Sequence, residues 1–333
     1  MPQNPKVFFH GGVYFFTMSV EEGFMFPPNP LVREIVLKSA AQAQALHPLE
    51  IGDVLVESTH IHMIVRVLDP SDAADFVERF KTESAHAINR LLGRKKRTLW
   101  CEGYDSPLIP DLPTLISKIA YIYENPSKDG LTDKIEEYPG FNTFHLRKAA
   151  SEGRRDLLSP VEYRTYFIPR PAFTPLPDSA TLTEKDYRNY RRTLVRRKKR
   201  TALVVSPNSI LKRFGIESEA ELRQVNKQII EEVRWREEKH RTRRTKEVRA
   251  VVGSERLRNT PIGGEYVPER DGRRMLVHSE DSEIRRVVIE WMRALIQKGK
   301  EVLARWKQGE TWISYPLGLF PPTGIRLAEP IFW

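Results

Sequence analysis

The order of strand-like and helix-like segments in the first half of the chain constrains the fold more than any other feature. Aromatic and β-branched residues predict a strand over residues 13–19, and apolar residues at helical spacing predict a helix over residues 30–46. Two β-prone runs, residues 49–57 and 60–68, are close enough in sequence to form a hairpin. A second helix, an extended segment and a third helix follow, which gives the order β-α-β-β-α-β-α. This order predicts an α+β fold, with a ferredoxin-like antiparallel sheet and helices on one side.

Cap and breaker residues set the ends of the second and third helices. The second helix opens around Pro70, and Gly93 ends it. The third helix starts at Asp111, and the pair Asn125 and Pro126 is expected to stop it. The reason is that the residue before a proline avoids the helical conformation.

The length of 333 residues fits about two domains. We predict a first domain over residues 1–150, a stiff proline-rich linker over 151–180, and a basic, mostly helical extension over 181–333 that binds DNA. The three helices expected in this extension cover residues 184–201, 218–241 and 281–307. Residues 242–275 are expected to form a loop or flexible arm, and the aromatic tail 311–333 to pack back as an irregular strap.

Charge is distributed unevenly along the chain. The formal net charge is +10, yet residues 1–150 hold 16 Lys or Arg against 19 Asp or Glu, a net charge of −3. The remaining residues hold 38 against 25, a net charge of +13. This asymmetry is typical of a chain in which one part binds a polyanion and another part has a different function. Solvated basic helices without a partner would give the same composition.

The single cysteine, Cys101, excludes an internal disulfide and a cysteine-based zinc site. No run approaches the roughly 18 apolar residues of a membrane span, and the first twenty residues lack the pattern of a signal peptide. We therefore expect a cytoplasmic protein with no membrane partner.

Two histidines lie within a β-prone run. Alternation along a strand places His60 and His62 on one face and Ile61 on the other. Two imidazoles at this spacing can bind one divalent metal ion, which would keep open positions for substrate oxygens. By spacing alone, a structural role for the two side chains is the more common one.

Tyr121 and Asn125 share a face of the third helix because they are four residues apart, whereas Tyr123 points elsewhere. A tyrosine near a helix end usually belongs to a core or an interface. Beside a metal ion, its hydroxyl can instead act as a nucleophile toward a phosphate, because the cation stabilises the developing charge.

Several motifs together resemble the REP-associated tyrosine transposases, which are single-tyrosine HUH single-strand DNA endonucleases. The motifs are His60-Ile61-His62-Met63, Phe80-Lys81 with Ile88-Asn89-Arg90, Trp100-x-x-Gly103-Tyr104, and Tyr121-Ile-x-x-Asn125-Pro126-x-x-x-Gly130-Leu131. They occur in matching order over roughly residues 5–145. Thr59 stands where the family often has asparagine, and the resemblance does not cover residues 151–333.

The resemblance implies a function and a set of roles. His60, His62 and Asn125 would hold Mg²⁺ or Mn²⁺, and Tyr121 would attack single-stranded DNA near a hairpin to form a 5′-phosphotyrosine. A 3′-hydroxyl could then rejoin the strand without ATP. The alternative is a DNA-binding regulatory protein on the same scaffold with little or no catalysis. A homodimer in which the tyrosine acts in trans is open at this point.

Two basic clusters are candidate DNA contacts. In the first, Lys81 and the run Arg94, Lys95, Lys96 and Arg97 would hold phosphates while Trp100 stacks on a base. The alternative for this cluster is a solvated loop beside a buried Trp100. The second cluster contains eight basic residues between 188 and 200, among them Arg196, Arg197, Lys198 and Lys199. This density favours contact with nucleic acid.

Overall fold

A computed structural model describes most of the chain. The described residues are 6–21, 24–25, 27–91, 94, 98–154, 159–166, 200–260, 275–322 and 324–328. The strands are β1 (Val13–Ser19), β2 (Leu49–Val56), β3 (His60–Val67), β4 (Leu108–Ile109), β5 (Val161–Tyr166) and β6 (Arg200–Val205). The helices are α1 (Pro30–Leu46), α2 (Pro70–Leu91), α3 (Leu112–Lys128), α4 (Phe144–Ser151), α5 (Pro207–Lys212), α6 (Glu219–Lys246), α7 (Ser254–Arg258) and α8 (Ser282–Lys307), with a 3₁₀ turn at Ile135–Glu137.

The six strands form one sheet in the order β4-β1-β3-β2-β6-β5. All neighbouring strands pair antiparallel except β2 and β6, which run parallel. The pairing of β1 with β3 places Thr17 opposite His62 and Ser19 opposite His60. The predicted α+β class is confirmed, and the predicted strands and helices of the first 128 residues are present.

Helices cover both faces of the sheet. On one face, Tyr14 and Phe16 of β1 pack with α1 and α2, and on the other face Val13 and Phe15 pack with α3. The helices α4, α5 and α6 join this second layer. The prediction that helices lie on one side of the sheet is therefore wrong. The physical reason is that β1 is apolar on both faces, so each face is buried against helices.

Local sequence sets where α1 and α3 begin. The side chain of Asn29 accepts a hydrogen bond from the backbone of Val32 at 2.9 Å, and Asp111 caps α3 through Thr114 at 2.8 Å. The predicted end of α3 before Pro126 is wrong, since the helix continues to Lys128. A proline in the last turn removes only one hydrogen bond, and buried side chains around it offset that loss.

The chain after residue 150 continues the same sheet. The predicted linker contains β5, which pairs with β6, and β6 in turn pairs with β2. The side chain of Gln44 on α1 joins this edge, because it bonds the backbone of both Val204 and Leu49. The helix α6 packs against α3 and α4. The sheet and its second helical layer therefore cross the predicted boundaries at 150 and 180.

The predicted helices over 218–241 and 281–307 are confirmed as α6 and α8. The helix α6 runs five residues further than predicted, to Lys246, and α7 also forms within the expected arm. In the predicted helix over 184–201, residues 184–199 lie outside the described residues, and Arg200 begins β6. The tail packs back as predicted, with Tyr315, Leu319 and Ile325 buried.

Candidate active site

The structure brings His60 and His62 together on β3. Their ring centroids are 4.5 Å apart with an interplanar angle of 73°. Both side chains occupy the sheet face covered by α3, as the alternation of the strand predicts, while Ile61 joins the core on the opposite face. The pair therefore lies between the sheet and the helix that carries Tyr121.

His62 is buried and electrically neutral. Burial lowers the pKa of its imidazole well below the usual value, and the nearby His60, Lys128 and Lys118 lower it further. Its Nδ1 lies 3.0 Å from the hydroxyl of Thr17, the residue opposite it on β1. Its Nε2 has no hydrogen-bond partner among the described residues. An imidazole that donates through Nδ1 keeps a lone pair on Nε2 for a ligand.

His60 is held by two neighbours. Its Nδ1 lies 3.0 Å from the hydroxyl of Thr59, so the threonine that departs from the family pattern contacts the site directly. Its Nε2 lies 3.3 Å from a carboxylate oxygen of Glu57. Glu57 is only 2% exposed, and burial, followed by the nearby Asp129, raises the pKa of its carboxyl well above the usual value.

Tyr121 lies edge-on to His62, with ring centroids 5.8 Å apart, and packs against Phe15 at 5.9 Å. Two lysines flank its ring. The Nζ of Lys118 is 5.3 Å from the ring centroid and that of Lys128 is 5.0 Å away. Lys128 also donates a hydrogen bond to the tyrosine hydroxyl at 3.3 Å. The hydroxyl of Tyr121 therefore lies in a positive electrostatic field.

The two lysines differ in their electrostatic environment. Burial lowers the pKa of Lys118, and the nearby Arg236 contributes to the same direction. Burial alone would also lower the pKa of Lys128, but Tyr121 and then Asp129 outweigh it, and the pKa is raised. Lys128 is therefore the more firmly charged of the two.

Asn125 follows Tyr121 by one helical turn and is 1% exposed. Its amide nitrogen is buried and has no hydrogen-bond partner among the described residues. Because an amide can rotate by 180°, its oxygen could occupy that position instead.

The donor set fits a divalent ion. In the described part of the chain, no three residues of the types His, Cys, Asp and Glu are grouped as a metal site, so an ion would depend on two imidazoles and one amide. His62 and Asn125 each keep a polar atom without a protein partner in the described region. The amide oxygen suits Mg²⁺ or Mn²⁺, whereas neutral imidazole more often binds transition-metal ions, so this donor set fits a divalent ion with several open positions but does not select Mg²⁺.

Tyr123 and Glu124 are accounted for by structural contacts. Tyr123 points away from the histidines, as predicted, and is completely buried. The carboxylate of Glu124 lies 3.1 Å from Arg236 and 2.9 Å from His240, both on α6. Arg244 of α6 donates to the backbone oxygen of Ser127. The helix α6 thus contacts the last three turns of α3 through charged side chains.

The predicted DNA contacts of the first basic cluster are partly occupied by the protein itself. Lys81 donates to the backbone oxygens of Cys101 and Gly103, both at 2.7 Å. Arg94 lies 2.6 Å from Glu21. These two side chains hold neighbouring loops.

The predicted stacking of Trp100 on a base is wrong. The side chain is 6% exposed, its ring packs against Phe80 at 5.5 Å, and its N–H donates to Ser84 at 2.9 Å. A buried ring offers no face to a base, so Trp100 belongs to the core. The remaining predicted contacts lie outside the described residues, namely Lys95, Lys96, Arg97, Arg196, Arg197, Lys198 and Lys199.

The structure adds site residues that the sequence interpretation missed. Lys118 precedes Tyr121 by three residues and Lys128 follows it by seven, so helical spacing could have placed both beside the tyrosine. His278 lies far along the chain, yet its ring meets Phe15 at 5.6 Å. Burial, with a contribution from Lys118, lowers the pKa of His278 to about 3. No local sequence signal identifies that contact.

Part of the first half of the chain is similar to a known protein family. Residues 29–125 match the family model described as Transposase IS200 like. This range includes His60, His62, Tyr121 and Asn125.

The resemblance to REP-associated tyrosine transposases is likewise confirmed. A protein of Haemophilus influenzae described as a putative REP-associated tyrosine transposase is 23% identical over 148 residues, which are 41% of this chain and 82% of that protein. A solved structure described as the REP-associated tyrosine transposase bound to a REP hairpin is 23% identical and covers 45% of this chain and 86% of its own, with a TM-score of 0.38. Among the described residues, no helix has the length and apolar character of a membrane span.

Proposed function

We propose that this protein is a single-strand DNA endonuclease and strand transferase that uses Tyr121 as its nucleophile. The observation that carries the proposal is the placement of Tyr121 against His62, with ring centroids 5.8 Å apart, beside the histidine pair of β3. A tyrosine next to two imidazoles, inside a region that matches the IS200-like family, supports phosphoryl transfer with the tyrosine as nucleophile.

In the proposed reaction, the hydroxyl oxygen of Tyr121 attacks the phosphorus of a scissile phosphodiester. The new bond joins phosphorus to the tyrosine oxygen, and the bond from phosphorus to the 3′ oxygen breaks. The 3′ oxygen leaves as a hydroxyl, and the tyrosine loses its proton, which leaves a 5′-phosphotyrosine. Attack by a 3′-hydroxyl on that linkage reverses the step, because one phosphodiester exchanges for another.

Lys128 supports this reaction by its position. Its ammonium donates to the tyrosine hydroxyl at 3.3 Å, and its raised pKa keeps it charged at neutral pH. A charged donor stabilises the negative charge that develops on the tyrosine oxygen. The neutral His62 does not compete for that role as a cation.

His60, His62 and Asn125 would hold Mg²⁺ or Mn²⁺, which would supply Lewis-acid stabilisation of charge on the phosphate. The protein's contribution is to keep His62 neutral and oriented through Thr17. To reach such an ion with Nε2, His60 would exchange its contact with Glu57 for the ion.

The proposed substrate is single-stranded DNA beside a hairpin, in line with the resemblance to the REP-associated tyrosine transposases. The experiment is to incubate the full chain with labelled single-stranded DNA from the flanks of its own gene and Mg²⁺. We expect a covalent adduct that resists boiling in detergent and that Tyr121→Phe abolishes while DNA binding persists. An undiminished adduct in Tyr121→Phe would overturn the assignment. Binding without any adduct would favour the regulatory alternative.

A further inference from the structure

The C-terminal half of α6 presents an aromatic and basic surface. Trp235, Lys239, Thr242, Arg243 and Lys246 are spaced at i, i+4, i+7, i+8 and i+11, so they follow one side of the helix over about 16 Å. All five side chains are exposed, and together with Glu238 they line a surface groove. We call these five residues the α6 stripe.

Trp235 is 60% exposed, which is unusual for the largest apolar side chain. The Nζ of Lys239 lies 5.3 Å from the centroid of its ring. Trp291 on α8, which is also exposed, instead has its ring against Phe9 with centroids 4.1 Å apart. A tryptophan flanked by a cation and open to solvent has the features of a stacking platform for a planar ligand.

The charge around the α6 stripe is positive. Between residues 235 and 249 the chain has seven Lys or Arg against three Glu, a net charge of +4. Glu238 pairs with Arg241, and Glu247 pairs with Arg243 at 2.9 Å. The two exposed carboxylates of this segment are thus neutralised within the helix, which leaves a surface suited to an anionic polymer.

The α6 stripe lies one helix away from the candidate nucleophile. Arg236, the residue after Trp235, donates to Ser117 and Glu124 on α3, and Arg244 donates to Ser127. Packed helices are about 8–10 Å apart, so α6 runs alongside the turns that carry Tyr121. A strand that leaves the site across α6 would meet these side chains.

From these observations we propose that the α6 stripe binds a single-stranded segment of nucleic acid. A base would stack on Trp235, and phosphates would contact Lys239 and Lys246. A phosphate would also contact Arg243 once it releases Glu247. The proposal rests on the proposed function, because it takes the bound segment to be the flank of the DNA that Tyr121 cleaves. Stacking favours a single strand over a duplex, since the bases of a duplex already stack on one another.

The experiment measures binding without covalent capture. In the full chain carrying Tyr121→Phe, fluorescence anisotropy would follow binding of a labelled 30-nucleotide oligothymidylate over a range of salt concentrations. We expect Trp235→Ala to weaken binding about tenfold. We expect Lys239→Gln combined with Lys246→Gln to make the dependence of log K on log salt shallower by about 0.7 for each lysine.

Matched control variants come from exposed residues elsewhere. Trp312, which is 77% exposed, provides Trp312→Ala, and α8 provides the pair Lys298→Gln and Lys300→Gln. These controls should leave both affinity and salt slope unchanged. Equal losses of affinity in the controls and the α6 variants would overturn the proposal, because binding would then not depend on the position of these side chains. An equal loss for a 30-base-pair duplex would overturn the preference for single strands.

The outcome is separable from that of the proposed function. Adduct formation tests Tyr121, whereas the α6 stripe is tested with that hydroxyl removed. No adduct with wild type, together with binding that depends on Trp235, would overturn the endonuclease and keep the stripe. If wild type formed an adduct and its binding did not depend on Trp235, the proposed function would stand and the role of the α6 stripe would be overturned.

Discussion

Arg147 and Asp53 form a bidentate ion pair in which both side chains are completely buried. The two hydrogen bonds measure 2.7 Å and 2.9 Å. The pair joins α4 to β2, and Arg147 also reaches Asn208 on α5 and Asn226 on α6. A segment predicted to be a separate extension therefore completes the hydrogen bonding of a charge that lies inside the first domain.

Removal of one partner of this pair should destabilise the whole protein. We expect Arg147→Met to lower the free energy of unfolding by about 3–5 kcal/mol, because the carboxylate of Asp53 stays buried without its partner. Lys148→Met is the control, since Lys148 pairs with Glu136 at the surface and its loss should cost less than about 1 kcal/mol. Urea denaturation measures both. Similar costs for the two variants would contradict the expectation.

Tyr123→Phe should affect stability and leave the chemistry intact. The hydroxyl of Tyr123 donates to Asp53 at 2.7 Å and lies 2.9 Å from Thr143. Its loss removes a buried hydrogen bond to the Asp53 carboxylate, which keeps its two bonds from Arg147, at a cost of about 1–3 kcal/mol. Adduct formation at a temperature where the variant is folded should match wild type. If a folded Tyr123→Phe protein formed no adduct, the assignment of Tyr121 as the nucleophile would be contradicted.

Lys128→Met should slow adduct formation with little change in DNA binding. The lost charged hydrogen bond to Tyr121 corresponds to about 1.5–3 kcal/mol, or roughly 10- to 100-fold in rate. Single-turnover measurements at saturating DNA separate rate from binding. Lys128→Arg keeps the charge and should recover part of the rate. If Lys128→Met and Lys128→Arg slowed adduct formation equally, the charge of Lys128 would not contribute and the side chain would act only through packing.

Chelation should stop the reaction without unfolding the protein. Two imidazoles and one amide would form a weak, exchangeable site, so EDTA should abolish the adduct and added Mg²⁺ or Mn²⁺ should restore it. The melting temperature should stay the same. A large fall in melting temperature on chelation would indicate that an ion supports the fold instead.

His278 should make the protein sensitive to acid. Its pKa is about 3 in the folded chain and 6.5 in the reference state, so the imidazole is neutral in both above pH 6.5 and adds no pH dependence there. As the pH falls from 6.5 toward 3, the unfolded chain gains a proton that the folded chain excludes, and stability is lost by up to about 1.4 kcal/mol per pH unit.

The test for His278 is denaturation by urea at pH 7 and pH 5. His278→Phe keeps a ring against Phe15 but cannot titrate, so its loss of stability between these values should be smaller than that of wild type, by no more than about 2 kcal/mol. Identical slopes for wild type and His278→Phe would contradict the assignment.

Local patterns were sufficient to predict the centre of the site. The strand alternation that pairs His60 with His62, and the helical spacing that aligns Tyr121 with Asn125, depend only on short segments. The burial of Trp100 could not be predicted in this way. A tryptophan after a basic run has the same sequence pattern whether its ring meets a base or, as here, Phe80 and Ser84.

The layers of the fold after residue 150 depend on long-range pairing. The strand β5 was not predicted because it lies among prolines. A proline-rich extended segment and an edge strand flanked by prolines are hard to tell apart in a sequence. The contact of His278 with Phe15, and that of Asn226 with Arg147, join residues far apart in the chain. Such contacts arise from tertiary packing, which periodicity in a single segment does not encode.

The pairing of β6 with β2 also determines how copies of this chain can assemble. In a sheet ordered β4-β1-β3-β2, the strand β2 would form an open edge whose backbone groups could accept a strand from another molecule. Here Ser206 donates to Ile51 at 2.7 Å beside the parallel pair of Ile51 and Val205, and residues 141–143 pair with the other end of β2. The chain therefore blocks this edge with β6 at one end and with residues 141–143 at the other. Two copies that associate must do so through other surfaces, without sharing a continuous sheet across β2.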